Sequence, residues 1–199
     1  PAEAATEVFA MDTGNSSSTV PAFDSGFPVD FGLTKNPDSS GDWYTVARLL
    51  GGNHLVNSGT NIISNSNWTK WDSNVGEGIS WSSSYQSWMF KRHAGLDVVT
   101  YNIPTSSGQK EIMHNLGREP EMIWLKYTDG TDDWLVYNKY LGGGTDPWDY
   151  FLALNKYDAQ SNTYPNYWGT SSSGMNANCF TINQQYRYTG NHVMMLFAS

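Results

Sequence analysis

The sequence predicts an all-β fold: an antiparallel β-sandwich built from two duplicated units of about 90 residues each. Three observations lead there. The chain repeats itself at an offset of 91 positions. It carries nine Trp, twelve Tyr and eight Phe among abundant Ser, Thr, Asn and Gly, a vocabulary of strands and turns. Finally, apolar residues alternate at period two in several short runs, and no sustained 3.6-residue period occurs anywhere.

The repeat is ungapped over its best stretch. Gly26 falls on Gly117, Lys35 on Lys126, Asp38 on Asp129, Asp42-Trp43 on Asp133-Trp134, and Leu50-Gly51-Gly52 on Leu141-Gly142-Gly143. Eight of the 28 positions from Ser25 to Gly52 are identical to their mates, and the shared types are those that set turns and anchors. A unit of this length is too long for a solenoid repeat and suits half a domain or one small domain.

Residues 1–22 form an N-terminal segment, an apolar patch from Val8 to Met11 and then the polar loop TGNSSSTVP. At the same offset Val8 meets Val99, inside DVVTYNIPTSSGQKE, which alternates well enough for a strand running into a Ser-Gly turn. A first β unit follows over 23–97 and a second over 98–199, or the two form one continuous domain over 1–199. Each unit contains a predicted hairpin. FPVDFGLTK and PEMIWLKY run into the Asp-rich turns PDSSGD and TDGTDD, and these lead into WYTVARLL and WLVYNKYL. An anchoring Trp directly follows each turn, so Trp43 and Trp134 are expected at equivalent buried positions. Each hairpin closes on Leu-Gly-Gly, where glycine permits a sharp bend. GNHLVNS then reads as a strand. Its counterpart GTDPWDYFLALNKY is the one helix candidate, with Asp146 as cap and Pro147 in the first turn. Each unit ends on an aromatic strand, SYQSWMFK or NHVMMLFA, and KRHAGLD (91–97) reads as the seam. The second unit is about sixteen residues longer, so its loops hold the added chain.

Composition excludes several classes. Eleven basic against 19 acidic side chains give a net charge of −8. That leaves no electrostatic footprint for a phosphate backbone and disfavours anionic membranes. The longest apolar run, Val193 to Ala198, is far short of a bilayer span, so neither nucleic acid nor membrane insertion is expected. The N-terminal PAEAATEV shows neither the basic region nor the apolar stretch of a signal peptide. Cys179 is the sole cysteine, so no intrachain disulfide braces the fold.

Candidate chemistry is sparse. The turns holding Asp38/Asp42 and Asp129/Asp132/Asp133 could offer carboxylates to Ca²⁺, but they lack the spacing and distal Glu of a calcium loop; turn formation explains them better. His54, His93, His114 and His192 are scattered without a metal-ligand pattern and read as structural. Cys179 reads as a buried, inert thiol. Glu119/Glu121 and Asp146/Asp149 sit near aromatics, but residues two or three apart rarely face each other across a sugar. No catalytic residue, metal site or cofactor is therefore expected. The aromatic clusters are the better lead. Trp81, Tyr85 and Trp88 form one group, of which Trp81 and Trp88 precede a strand and read as core. Tyr164, Tyr167 and Trp168, in the polar loop YPNYWGTSSSG of the longer unit, are the candidate ligand-binding residues, their rings suited to stack on a sugar face, with packing or a subunit interface as the competing reading.

Several segments also carry a family resemblance. FDSGFPVDFGLTKN (23–36), WYTVARLLGG (43–52), WDSN (71–74), SYQSWMFKRHAGLDVVTY (84–101) and HNLGREPEMIWLK (114–126) resemble a domain recurrent in marine bacteriophage virion and tail-fibre-like proteins. That resemblance implies a non-enzymatic structural protein on the virion surface, most naturally a tail-fibre or receptor-binding module contacting a host glycan or a neighbouring virion protein. A capsid-decorating or appendage subunit and a polysaccharide depolymerase are the alternatives. The resemblance supplies no catalytic or binding residue. Phage fibres and decorations being commonly three-fold, a homotrimer is the default expectation.

Overall fold

A computed structural model describes residues 4–15, 20–64, 67–79, 82–104, 107–169 and 174–199. The chain divides into two compact units, Pro1–His93 and Ala94–Ser199, and the division falls within KRHAGLD. Among the described residues the regular structure of both units is mainly antiparallel strand, which is the predicted fold class.

Among the described residues of unit 1, a single helical turn, Ala5–Val8, precedes eight strands. These are β1 (Phe9–Thr13), β2 (Phe23–Asp24), β3 (Phe31–Lys35), β4 (Tyr44–Ala47), β5 (His54–Val56), β6 (Thr69–Lys70), β7 (Gly76–Ile79) and β8 (Gln86–Phe90). The larger sheet runs β1-β8-β3-β4-β5 and the smaller β2-β7-β6. Phe23 and Ile79 from the small sheet meet Val46 and Met89 from the large one, with Ala22, Phe27, Val29 and Trp68 completing the core. The inner surface of β3 and β8 is partly polar. Thr34 pairs across the strands with Ser87, and Ser87 Oγ donates to the fully buried Glu77 (2.5 Å to Oε1). Room for that carboxyl comes from Gly32, where a Cβ would stand 2.9 Å from Glu77 Oε1.

Unit 2 has seven strands: β9 (Leu96–Ile103), β10 (Gln109–Met113), β11 (Met122–Tyr127), β12 (Leu135–Asn138), β13 (Leu152–Ala153), β14 (Cys179–Asn183) and β15 (Gly190–Phe197). Its larger sheet runs β9-β15-β11-β12-β13 and its smaller one pairs β10 with β14. This is the strand order of unit 1. Here the matching cluster is apolar: Ile123, Leu125, Tyr137, Met194 and Leu196 pack with Ile112, Phe180 and Ile182 and with Tyr167 and Trp168, while Lys126, Arg187 and His192 are buried elsewhere in the unit or beside that cluster. Where unit 1 pairs Thr34 with Ser87, unit 2 pairs Leu125 with Met194.

Residues matched at the 91 offset hold like local structure. Gly51 and Gly142 both take a φ of 62°, a left-handed value that glycine reaches without strain. Lys35 Nζ donates to the carbonyl of Gly41 (2.5 Å), and Lys126 Nζ to that of the matching Asp132 (2.6 Å), so each lysine closes its own hairpin turn.

Three expectations need correction. Trp43 and Trp134 hold matching backbone positions, each carbonyl accepting a backbone N–H from just beyond the next strand (Asn57 and Leu154). Their rings differ. Trp134 is 0% exposed, whereas Trp43 is 39% exposed, resting on Trp88 (4.9 Å) with Lys35 Nζ 5.8 Å from its ring. A tryptophan can pack one face and leave the other wet, which the sequence pattern cannot distinguish from full burial. Secondly, the helix candidate at 144–157 is a single 3-10 turn, Pro147–Asp149, followed by β13. Asp146 sits before it in the left-handed region (φ 48°) without a side-chain cap. Beyond it, Phe151 bridges to Ser161 and Leu152 pairs with Val136, so strand pairing takes the backbone groups a helix would need. Thirdly, the N-terminal strand is an integral member of unit 1. Phe9 pairs with Phe90 as Leu96 pairs with Phe197, so β1 matches β9 at an offset of 87, and Val8 lies in the helical turn instead of opposite Val99.

Candidate functional site

Unit 2 holds a cleft of about 510 Å³ lined by residues from three loops. The β11–β12 hairpin supplies Asp132 and Asp133. The long connection after β13 supplies Lys156, Thr163, Tyr164 and Tyr167. The turn before β15 supplies Gln185, Arg187 and Tyr188. The extra length of the second unit thus forms much of one wall.

That long connection folds back on the sandwich. Asn166 takes a positive φ (57°), and its N–H donates to Asp149 Oδ1. Trp168 then turns inward, its backbone N–H on the Trp148 carbonyl (3.0 Å) and its Nε1–H on the Tyr150 carbonyl (2.9 Å). Gly169 passes so close to β14 that a Cβ there would lie 2.8 Å from the Thr181 carbonyl oxygen. The three aromatic candidates separate accordingly. Trp168 is 0% exposed and Tyr167 is buried, both members of the core, so neither ring is open to stack on a ligand. Tyr164 is 43% exposed on the cleft rim, its ring stacked 5.9 Å from Tyr167. Tyr188, which sequence reasoning missed, is 55% exposed and stacks on Tyr127 (5.2 Å).

The polar groups have distinct states. Burial raises the Asp133 carboxyl, but hydrogen bonds from Lys156 Nζ (2.5 Å) and Asn155 Nδ2 (2.9 Å) outweigh it and hold the group below its ordinary range. Burial pushes Asp132 up, against the N–H of Asp133 and the charge of Lys126. Lys126 itself is lowered to about 8 by burial. Beneath the cleft, the Arg187 guanidinium stacks 3.5 Å from the Tyr167 ring centroid and 4.9 Å from that of Trp168. Burial lowers it to about 10, opposed by Tyr101 and Asp132, so it stays charged at neutral pH. His192, stacked on Tyr101 at 5.0 Å, is lowered to about 4 by burial and is neutral there. The one signal for Arg187 in the sequence is its setting, a scarce cation between Tyr186 and Tyr188.

Several of the remaining candidates are held in structural contacts. Both carboxylate oxygens of Asp129 hold Asn191, and Asp42 accepts from the Ser58 hydroxyl. Glu121 pairs with Lys139 at 2.6 Å. His114 accepts the Leu116 N–H, and burial lowers it. Cys179 Sγ accepts from Asn176, and its thiol is raised, first through Glu111 and then by burial, which is the opposite of activation. In unit 1, Tyr85 packs against the core and Trp88 lies under Trp43, while Trp81 falls outside the described residues.

No match is found among curated proteins or among solved structures. A family described as a domain of unknown function (DUF7483) matches residues 44–199, from the start of β4 through the whole of unit 2, and the chain belongs to that family.

Proposed function

We propose that the protein is a non-enzymatic bacteriophage virion structural protein, a tail-fibre or receptor-binding module at the virion surface that contacts a host-surface glycan. The observation that carries the reading is the cleft of unit 2, rimmed by the exposed rings of Tyr164 and Tyr188 and furnished with Asp133, Lys156 and Gln185. Tyrosines offer flat apolar faces to a sugar ring at small entropic cost, and the polar groups beside them direct its hydroxyls. Tyr140 and Tyr157, also in the unit 2 loops, are likewise exposed, as befits a surface that works by contact. A non-enzymatic role fits the chemistry: Asp133 is tied to Lys156 and Asn155, and its neighbour Asp132 cannot face it across a glycosidic bond. The phage assignment draws on the resemblance of 23–36, 84–101 and 114–126 to virion proteins. The two units, with one strand order and matched hairpins, are read as copies of one ancestral unit, and the assembly as a homotrimer. Sedimentation of the purified chain and mass spectrometry of virions test this. A trimer present in virions is expected; a monomer absent from them would contradict it.

A further inference from the structure

Arg187 lines the cleft yet is more than nine-tenths buried, and its Nε, Nη1 and Nη2 have no hydrogen-bond partner among the described residues. The guanidinium lies 3.5 Å from the Tyr167 ring centroid and 4.9 Å from that of Trp168, two rings set at 82° to each other, and neither offers its N–H edge a conventional acceptor. The carboxylates around the cleft each have a hydrogen-bonded partner of their own. Asp133 is held by Lys156 and Asn155, Asp129 by Asn191, and Asp132 Oδ1 by the Asp133 N–H. The Tyr101 hydroxyl stands close enough to influence the guanidinium but makes no hydrogen bond of ordinary geometry. A buried, charged guanidinium with free donors is costly unless something completes it, and a planar carboxylate matches its fork. Gln185 and Tyr188, on either side of it near the cleft, are exposed.

Resting on the glycan reading above, we propose that the cleft takes a carboxylate-bearing sugar, a hexuronate of an acidic polysaccharide. Arg187 selects the carboxylate, and Tyr164 and Tyr188 offer faces to the ring. A phosphate ion shares the negative charge but not the ring, so it serves as the competing probe.

Calorimetric titration of the full chain with oligomers of galacturonate, glucuronate and mannuronate, their methyl esters and neutral hexose oligomers of equal length tests this. At least one acidic oligomer should bind about tenfold tighter than its own methyl ester. Arg187→Gln should erase that difference by weakening the acid's binding; should this variant fail to fold, the ester comparison on the unaltered protein decides alone. Esters or neutral oligomers binding as tightly as the acids would overturn the carboxylate selection and leave the glycan reading standing. Inorganic phosphate displacing the acid at equal concentration would overturn the sugar assignment. Binding of no oligomer, charged or neutral, would remove the glycan reading and this inference with it.

Discussion

Glu77→Gln is the sharpest probe of how unit 1 is held together. Burial raises the Glu77 carboxyl from 4.5 to about 7, against the Ser87 hydrogen bond and the charge of Arg48. Between those two values the folded chain keeps a proton that the unfolded chain gives up. Stability from this group is therefore complete below about pH 4.5 and is lost as pH rises through about 7. At about 1.4 kcal/mol per pH unit, the full loss is about 3 kcal/mol. Glutamine keeps the Ser87 contact through Oε1 and cannot ionise, but its amide meets the same place where Oε2 finds no partner. The variant should thus be no more stable than the parent near pH 5 and gain on it by about 2–3 kcal/mol by pH 8. Urea unfolding followed by tryptophan fluorescence at pH 5, 6, 7 and 8 measures that difference. A difference constant across the range would refute the reasoning, because it would mean that Glu77 titrates alike in the folded and unfolded chain.

Other substitutions separate core from rim. Trp168→Ala should cost about 3–5 kcal/mol of stability and lower the melting temperature by several degrees, as expected for a fully buried ring. Tyr164→Ala should leave the melting temperature nearly unchanged and weaken glycan binding by about 1–3 kcal/mol, by analogy with aromatic stacking on bases. Gly32→Ala should destabilise unit 1 by about 1–3 kcal/mol in chemical denaturation, since its methyl group would press on the Glu77 carboxyl, and Glu77→Ala should relieve part of that loss. Trp134→Ala should destabilise more than Trp43→Ala in the same assay, because only the former empties a closed site.

The hairpins were the most legible part of the chain. Alternation and Asp-rich turns place β3–β4 and β11–β12, because period-two burial and turn chemistry are local properties. The pairing of β1 with β8 was not legible, since register is set by the partner strand, and the apparent Val8–Val99 match therefore misled. For the cleft, the sequence singled out one of its loops and one rim residue, Tyr164. It left Trp168 open between ligand contact and packing, because a run of Pro, Asn and Gly looks solvent-facing, while positive φ at Asn166 and Gly169 folds it back onto the core. Arg187 and Tyr188 lay outside every pattern, since a lone cation acquires meaning only from the rings that tertiary structure brings to it.

The central claim, that unit 2 binds a glycan in its tyrosine-rimmed cleft, is tested most directly on an array of bacterial surface polysaccharides probed with the parent protein and with Tyr188→Ala. The parent should bind at least one polysaccharide, and the variant, equally folded, should bind it about tenfold more weakly. Binding that survives loss of the Tyr188 ring unchanged would contradict the account.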